Sequence, residues 1–330
     1  NEAMFDLLGV RAYRHLFPPV ADSQTIAGYV HAEAAAQTGL KIGTPVTIGA
    51  GDVPSSTIGA GAVEAGVASI ILGTTCLSCL TVAAPSFEPP DVGLLFVLPG
   101  GNWLRVMANV AGTTNLDWFI SQFFAAEQAA SAATADLFQT LEAIVEKSPP
   151  GANGVIYLPY LSPIGVIAPF VEAGARAQFC GLLPRHTRAD LLRAVYEGVA
   201  LAIRDCYAVM GRPVAEVRLS GGGAKSRIWG QMIADVLEAR VIVPEGAEFG
   251  AKGAALLAGV GLGWYASVGE AALSTSRALR AYEPDARLKP VYDALYHNYR
   301  ATREALAPMW KASVVIPVPP AESGSAHSGG

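Results

Sequence analysis

Charged side chains are scarce in this sequence, and the basic ones form no run. Among 330 residues there are 23 Lys and Arg against 28 Asp and Glu, a formal charge of −5. Nucleic-acid backbones are held by clustered Lys and Arg, so a nucleic-acid partner is excluded. Cysteine is scarce as well. Cys76, Cys79, Cys180 and Cys206 are too few to staple a chain of this length, which fits a reduced, cytoplasmic setting. Cys76-Leu77-Ser78-Cys79 has half-zinc or redox spacing, yet no second pair or His cluster completes a zinc site, and the run reads as a buried strand. Long apolar runs are missing too. No stretch reaches the ~18 residues of a membrane span, and 189–210 is interrupted by Asp190, Arg193, Glu197, Arg204 and Asp205, so it reads as a largely buried helix.

What is plentiful is small and apolar. With 52% hydrophobic residues and 35 glycines, the chain has material for a large core in which helices sit close on strands, the pattern of an α/β protein. Strands are expected at 46–48, 68–72, 77–81, 94–97, 103–107, 154–157, 216–219 and 241–243. Helices are expected at 115–124, 133–147, 188–210, 226–237, 251–260 and 288–306, with one at the opening and another over 31–38 closed by Gly39. Antiparallel β runs come first and α/β alternation follows. After Lys311 the composition turns to Pro, Ser, Gly and Ala, and residues past about Pro317 are expected to be loose.

The stretch from Leu219 to Asp235 carries the most information. A strand runs into Gly221-Gly222-Gly223 and then into a helix, a layout that lets backbone approach a base or phosphate and presents open N–H groups at a helix start. A bare strand-to-helix turn would look the same. Two further segments repeat the logic: Gly49-Ala50-Gly51-Asp52 puts a carboxylate beyond a strand, and Gly73-Thr74-Thr75 offers amides and hydroxyls for a phosphate. The spacing Gly-x-Gly-x-x-Gly of a dinucleotide fold is not present, which disfavours a dehydrogenase.

In the order and spacing of these segments, with Ala194–Ala200 and Phe249–Ala255 added, the chain resembles the C-terminal half of the FGGY family of carbohydrate kinases from about Gly43 to Lys311. The resemblance implies an actin-like ATPase (ribonuclease H-like) domain, an α/β fold with a mixed sheet flanked by helices. It implies ATP and Mg²⁺ as cofactors, a small sugar or polyol as substrate and no membrane or nucleic-acid partner, with a homodimer left open. Asp52 then matches the catalytic base, and Gly73, Thr74 and Thr75 match the phosphate turn. Gly112, Gly221, Gly222, Gly223 and Ser226 match nucleotide-binding positions, although relatives often carry Asn where Ser226 stands. No residue is assigned to metal. Asn115, Asp117, Gln231 and Asp235 are weaker candidates, and Gly250 and Gly253 fit helix packing better than ligand contact.

Residues 1–42 are expected to be a remnant of the family's N-terminal sugar-binding domain and its crossover, 43–311 the nucleotide-binding domain and 312–330 a disordered tail. The family's Asp-x-Gly-[Ser/Thr] hairpin has no counterpart, since Asp91-Val92-Gly93 is followed by Leu94. The chain alone is therefore expected to be inactive. Asp52-Val53 and Arg204–Gly211 resemble L-xylulose and erythritol kinases more than D-xylulokinases, which leaves a pentulose or a polyol as acceptor. A kinase-like nucleotide-binding module without turnover is the alternative.

Overall fold

The computed structural model describes residues 2–312 except 132–133 and 213, so the loose tail expected past Pro317 lies outside the described residues. The chain begins with α1 (Glu2–Leu7) and a 3-10 turn, followed by β1 (Ile26–Tyr29), α2 (Ala32–Thr38) and β2 (Pro45–Thr47); β1 and β2 pair antiparallel. Gly39 closes α2 in the left-handed conformation expected of it, φ 75°. Then come α3 (Asp52–Gly59), β3 (Val67–Leu72), β4 (Cys76–Val82), β5 (Leu94–Leu98) and β6 (Asn102–Asn109). Helices α4 (Thr114–Phe123), α5 (Ala125–Ala130) and α6 (Thr134–Val145) lead to a small ribbon of β7 (Ile156–Leu158) and β8 (Gln178–Cys180). The remainder alternates: α7 (Arg188–Val209), β9 (Glu216–Ser220), α8 (Arg227–Leu237), β10 (Arg240–Pro244), α9 (Phe249–Gly261), α10 (Val268–Ser274), β11 (Ala278–Tyr282) and α11 (Lys289–Ala312).

Seven strands form the central sheet in the order β11-β10-β9-β3-β4-β6-β5. β3, β9 and β10 run parallel and the rest antiparallel, the mixed sheet expected from the run of strands followed by alternation. Both faces are covered. Ala68, Ile70, Leu72, Cys76 and Leu80 point into the larger core with α7 and α8, whereas Cys79, Leu104 and Val106 point to the other side, under α3, α9 and α10. This alternation also settles the Cys-x-x-Cys spacing. Cys76 and Cys79 lie on opposite faces of β4, both buried and free, and burial pushes the Cys79 thiol up to about 12.

The three strands that the sequence did not announce are short or poor in β-formers: β1 contains Gly28, β8 has three residues, and three of the five residues of β11 are alanine or arginine. They are held by their neighbours rather than by their own pattern.

Helices α3 and α9 touch backbone to backbone. A Cβ on Gly253 would lie 1.9 Å from the Ser55 carbonyl oxygen, and one on Gly59 would lie 2.0 Å from that of Phe249. Gly250, by contrast, would bring its Cβ only to 3.3 Å from the Ser56 hydroxyl. The packing role expected of Gly253 follows from that contact. Gly253→Ala should cost about 1–3 kcal/mol in urea unfolding because neither helix backbone can yield, while Gly250→Ala should stay within about 1 kcal/mol of the parent.

The long helix α7 is opened by a capping box in which Thr187 and Asp190 satisfy each other's backbone amides. Burial alone would raise the Asp190 carboxyl. Donors from Ser148 (2.6 Å), the Thr187 amide (2.8 Å), the Thr187 hydroxyl (2.9 Å) and Asn153 (2.8 Å) outweigh it and hold the group at about 2. A carboxyl depressed below its unfolded value of about 3.9 contributes stability above that pH and loses it as pH falls toward 2. Chemical unfolding at about pH 5 and about pH 3 should therefore show a drop in stability for the parent that is smaller in Asp190→Asn.

Candidate active site

β3 and β9 are parallel neighbours with Ile71 opposite Ser220, so the two turns that leave their carboxyl ends, Gly73-Thr74-Thr75 and Gly221-Gly222-Gly223, lie side by side. This is where ligands sit in open α/β sheets. The Gly73 amide donates to the Thr75 carbonyl at 3.0 Å, and the Gly73 carbonyl accepts from the Thr113 amide at 2.7 Å. The Thr114 hydroxyl donates to the Thr74 carbonyl at 3.0 Å. A Cβ on Gly112 would be 2.3 Å from the Thr74 carbonyl oxygen and 2.4 Å from that of Gly73. Gly112 is thus demanded by the close approach of its loop to the threonine turn.

The three consecutive glycines have three different surroundings. Gly221 adopts φ 88° and its Cβ would strike the Leu72 carbonyl oxygen at 2.5 Å; one on Gly223 would strike the Leu72 side chain at 2.5 Å. Gly222 has nothing within 4 Å. It faces a cavity of about 640 Å³ lined by Thr113, Leu116 and Asp117 from the start of α4, Phe138, Gln139 and Glu142 from α6, Gly222, Gly223, Lys225, Ser226, Arg227 and Trp229 around the glycine turn, and Arg280 from β11. Its volume and its apolar lining with a few polar groups suit a ligand of nucleoside size.

The start of α8 differs from the expectation of open N–H groups. The Glu142 carboxylate occupies it, accepting from the Ser226 hydroxyl at 2.7 Å and the Arg227 amide at 2.9 Å. Ser226 is the N-cap and its hydroxyl also accepts from the Trp229 amide at 3.2 Å. A carboxylate is drawn there by the same partial positive charge that would attract a phosphate. Arg280 donates to the carbonyls of Ala224 (2.6 Å) and Lys225 (3.1 Å), fixing the far side of the glycine turn. Burial raises the Asp117 carboxyl, with a hydrogen bond from Thr113 opposing it.

Asp52 stands apart. It is the first residue of α3 rather than the end of a strand, because β2 stops at Thr47 and the chain turns through Gly49 at φ 78° to the cap residue Gly51. Its side chain is exposed, accepts from the Val53 amide at 2.8 Å and does not line the cavity. Three of the weaker candidates, Asn115, Gln231 and Asp235, are engaged within the fold. Asn115 is buried between the Gly112 carbonyl and the Tyr157 hydroxyl, and Gln231 and Asp235 bind each other and the 283–285 turn. Glu142 and Arg280 escaped the sequence reading, since no local motif marks a residue whose partners lie 84 or 56 positions away.

A sequence profile described as the FGGY family of carbohydrate kinases, C-terminal domain, matches residues 68–262, and that of the family's N-terminal domain matches residues 1–59. The chain belongs to the FGGY family of carbohydrate kinases. Its correspondence is wider than the C-terminal half, since the N-terminal match runs to residue 59 and includes Asp52. The chain is 35% identical to erythritol kinase of Brucella abortus (strain 2308) over 94% of its own length and 61% of that protein. It is 31% identical to L-xylulose/3-keto-L-gulonate kinase of Escherichia coli (strain K12), over 93% of its length and 59% of the relative. Among solved structures, xylulose kinase from Rhodospirillum rubrum superposes with a TM-score of 0.80 at 30% identity, covering 93% of this chain and 61% of that one. A ligand-bound xylulose kinase from Lactobacillus acidophilus reaches 0.85 at 22% identity, over 94% of this chain and 61% of that one, a likeness of fold. The fold is the actin-like ATPase class expected. The chain spans about three fifths of the length of these relatives.

The glycine contrast is testable by stability alone. Gly223→Ala should lose about 1–3 kcal/mol through collision with Leu72. Gly222→Ala should melt within a few degrees of the parent, as expected of a side chain added in open space.

Proposed function

We propose that this chain carries the nucleotide-binding site and the catalytic base of an ATP-dependent kinase acting on a hydroxyl of a small sugar or polyol. The observation that carries the reading is the pair of adjoining turns on β3 and β9, one lined with threonines and the other opening through Gly222 onto a nucleoside-sized cavity. The relatives named for erythritol and L-xylulose favour a polyol or pentulose acceptor.

In this proposal the nucleoside lies against Gly222, where no side chain obstructs the backbone, while Gly221 and Gly223 hold the turn on Leu72. Ser226 contributes to the wall with its hydroxyl already engaged by Glu142 and Trp229. Thr74 and Thr75 receive the terminal phosphates through amides and hydroxyls, Gly73 shapes their turn with its amide bonded to the Thr75 carbonyl, and Gly112 allows the loop behind them to approach. Asp52 accepts the proton of the attacking hydroxyl, from an exposed side chain that a substrate hydroxyl can reach. Mg²⁺ would neutralise charge on the nucleotide's phosphates when bound. The described residues contain no cluster of three or more His, Cys, Asp or Glu to hold it, so no step is assigned to a protein-bound metal.

Calorimetric titration with ADP tests the nucleotide half of the reading. Gly222→Val should weaken binding tenfold or more, as a branched side chain fills the space the ligand needs, and Asp52→Asn should leave it unchanged. Assayed with an intact sugar-binding domain, Asp52→Asn should lower kcat by roughly 10² or more. Unchanged ADP affinity in the first variant removes the nucleoside role of Gly222, and parent-like turnover in the second removes Asp52 as base.

A further inference from the structure

Glu142 is held by one carboxylate oxygen and unanswered at the other. From α6 its Oε1 accepts from the Ser226 hydroxyl at 2.7 Å, the Arg227 amide at 2.9 Å and the Ile228 amide at 3.4 Å. Among the described residues no hydrogen-bond donor reaches its Oε2, although the residue is half-buried and lines the cavity. Capping does not account for it. Ser226 already accepts from the Trp229 amide at 3.2 Å and caps α8 by itself. Three donors on one oxygen fix the carboxylate in place, and the second oxygen keeps its lone pairs for a partner that the fold does not supply.

Close by lies a second unanswered group. Tyr196 is fully buried, with its ring packed against that of Trp229 at 4.8 Å between centroids, and its hydroxyl forms no hydrogen bond of normal geometry among the described residues. The polar groups that bear on this hydroxyl are Ser226, Glu142 and Asp117, all of the cavity wall. A buried hydroxyl without a partner is costly, and these surroundings make the cavity the side from which a partner comes.

We propose that Glu142 is a specificity-determining residue of the nucleotide site, its Oε2 accepting a hydrogen bond from an N–H or O–H donor on the uncharged part of the nucleotide. The inference rests on the nucleotide reading above and goes beyond it by naming the side chain that tells one nucleotide from another. Two groups have the required chemistry, the amino group of an adenine base and a ribose hydroxyl. An ionised phosphate offers acceptors only, so it cannot answer Glu142. A site that presents a fixed acceptor rejects an analogue lacking the donor more strongly than an apolar wall does, because the acceptor is then left unpaired.

Calorimetric titration of the parent and of Glu142→Gln with three ligands tests this: ADP, purine riboside diphosphate, which lacks the base amino group, and the dideoxyribose form of ADP, which lacks the ribose hydroxyls. In Glu142→Gln the amide oxygen can keep the Ser226 and Arg227 donors while its nitrogen presents hydrogens in place of lone pairs. ADP should bind this variant about tenfold or more weakly than it binds the parent. The loss should shrink for the analogue that lacks the bonded donor, and that analogue should itself bind the parent about tenfold more weakly than ADP does. Loss confined to ligands with the amino group assigns the bond to the base, and loss confined to ligands with the hydroxyls assigns it to the ribose. Equal ADP affinity in parent and variant overturns the proposal, as does an equal loss for all three ligands, which would make Glu142 a helix cap alone. Both analogues binding the parent as tightly as ADP also overturns it, whatever the variant does. A parent that binds no ADP removes the nucleotide reading and this inference with it, whereas a parent that binds ADP without regard to Glu142 removes this inference only.

Discussion

The site depends on how closely three backbone segments meet at the end of β3. The turn after Leu72 is approached from one side by Gly112 and from the other by Gly221, and at each point a single added carbon would lie about 2.3–2.5 Å from a carbonyl oxygen. Such contacts cannot be relieved by a rotamer change, because both partners are main chain. They bring the threonine turn, the start of α4 and the glycine turn into one wall. The α3–α9 crossing repeats the device with Gly59 and Gly253, and it fixes the helix whose first residue is Asp52. Small residues thus do at two places what side-chain contacts do elsewhere.

Charge is used sparingly, and the buried charges among the described residues have partners. Helix α7 can be buried although its sequence contains several charges, because each is answered from another element. Glu197 accepts from Arg193 at 2.8 Å and from the Gly151 amide at 2.9 Å. Asp205 accepts from Tyr296 at 2.9 Å and pairs with Arg303 of α11. Burial raises both carboxyls, with the arginines opposing it. These pairs tie α7 to the 149–154 turn and to α11. Removing one partner would leave an unanswered buried charge, which costs more than the pair contributes.

Much of this was legible in the sequence. The long helices and the core strands follow from apolar spacing, and the three glycine-bearing turns follow from punctuation after β-formers, which is local information. The clustering of two turns required strand order, and parallel pairing of β3 with β9 joins residues some 150 positions apart. The same limit explains β11, whose Ala278–Tyr282 pattern is weak by itself and whose Arg280 acts on a turn that it meets only in the folded sheet. In the sequence the glycine triplet reads as one motif. In the structure, two of its members serve packing and only Gly222 faces open space, a distinction that depends on where Leu72 lies and not on the triplet.

The carboxylate of Glu142 at the start of α8 has a consequence for how an anionic ligand would sit. A helix start next to a glycine turn ordinarily attracts phosphate, and here that position is filled by a side chain of the same sign. The wall carries Asp117 and Glu142 together with Lys225, Arg227 and Arg280, so charges of both signs line the cavity, and hydroxyl and amino donors find acceptors there. Under the proposed function, the phosphates of a nucleotide would then lie toward the threonine turn rather than at the start of α8. In that reading the cap on α8 keeps phosphate from the helix start, which the glycine turn by itself would not do.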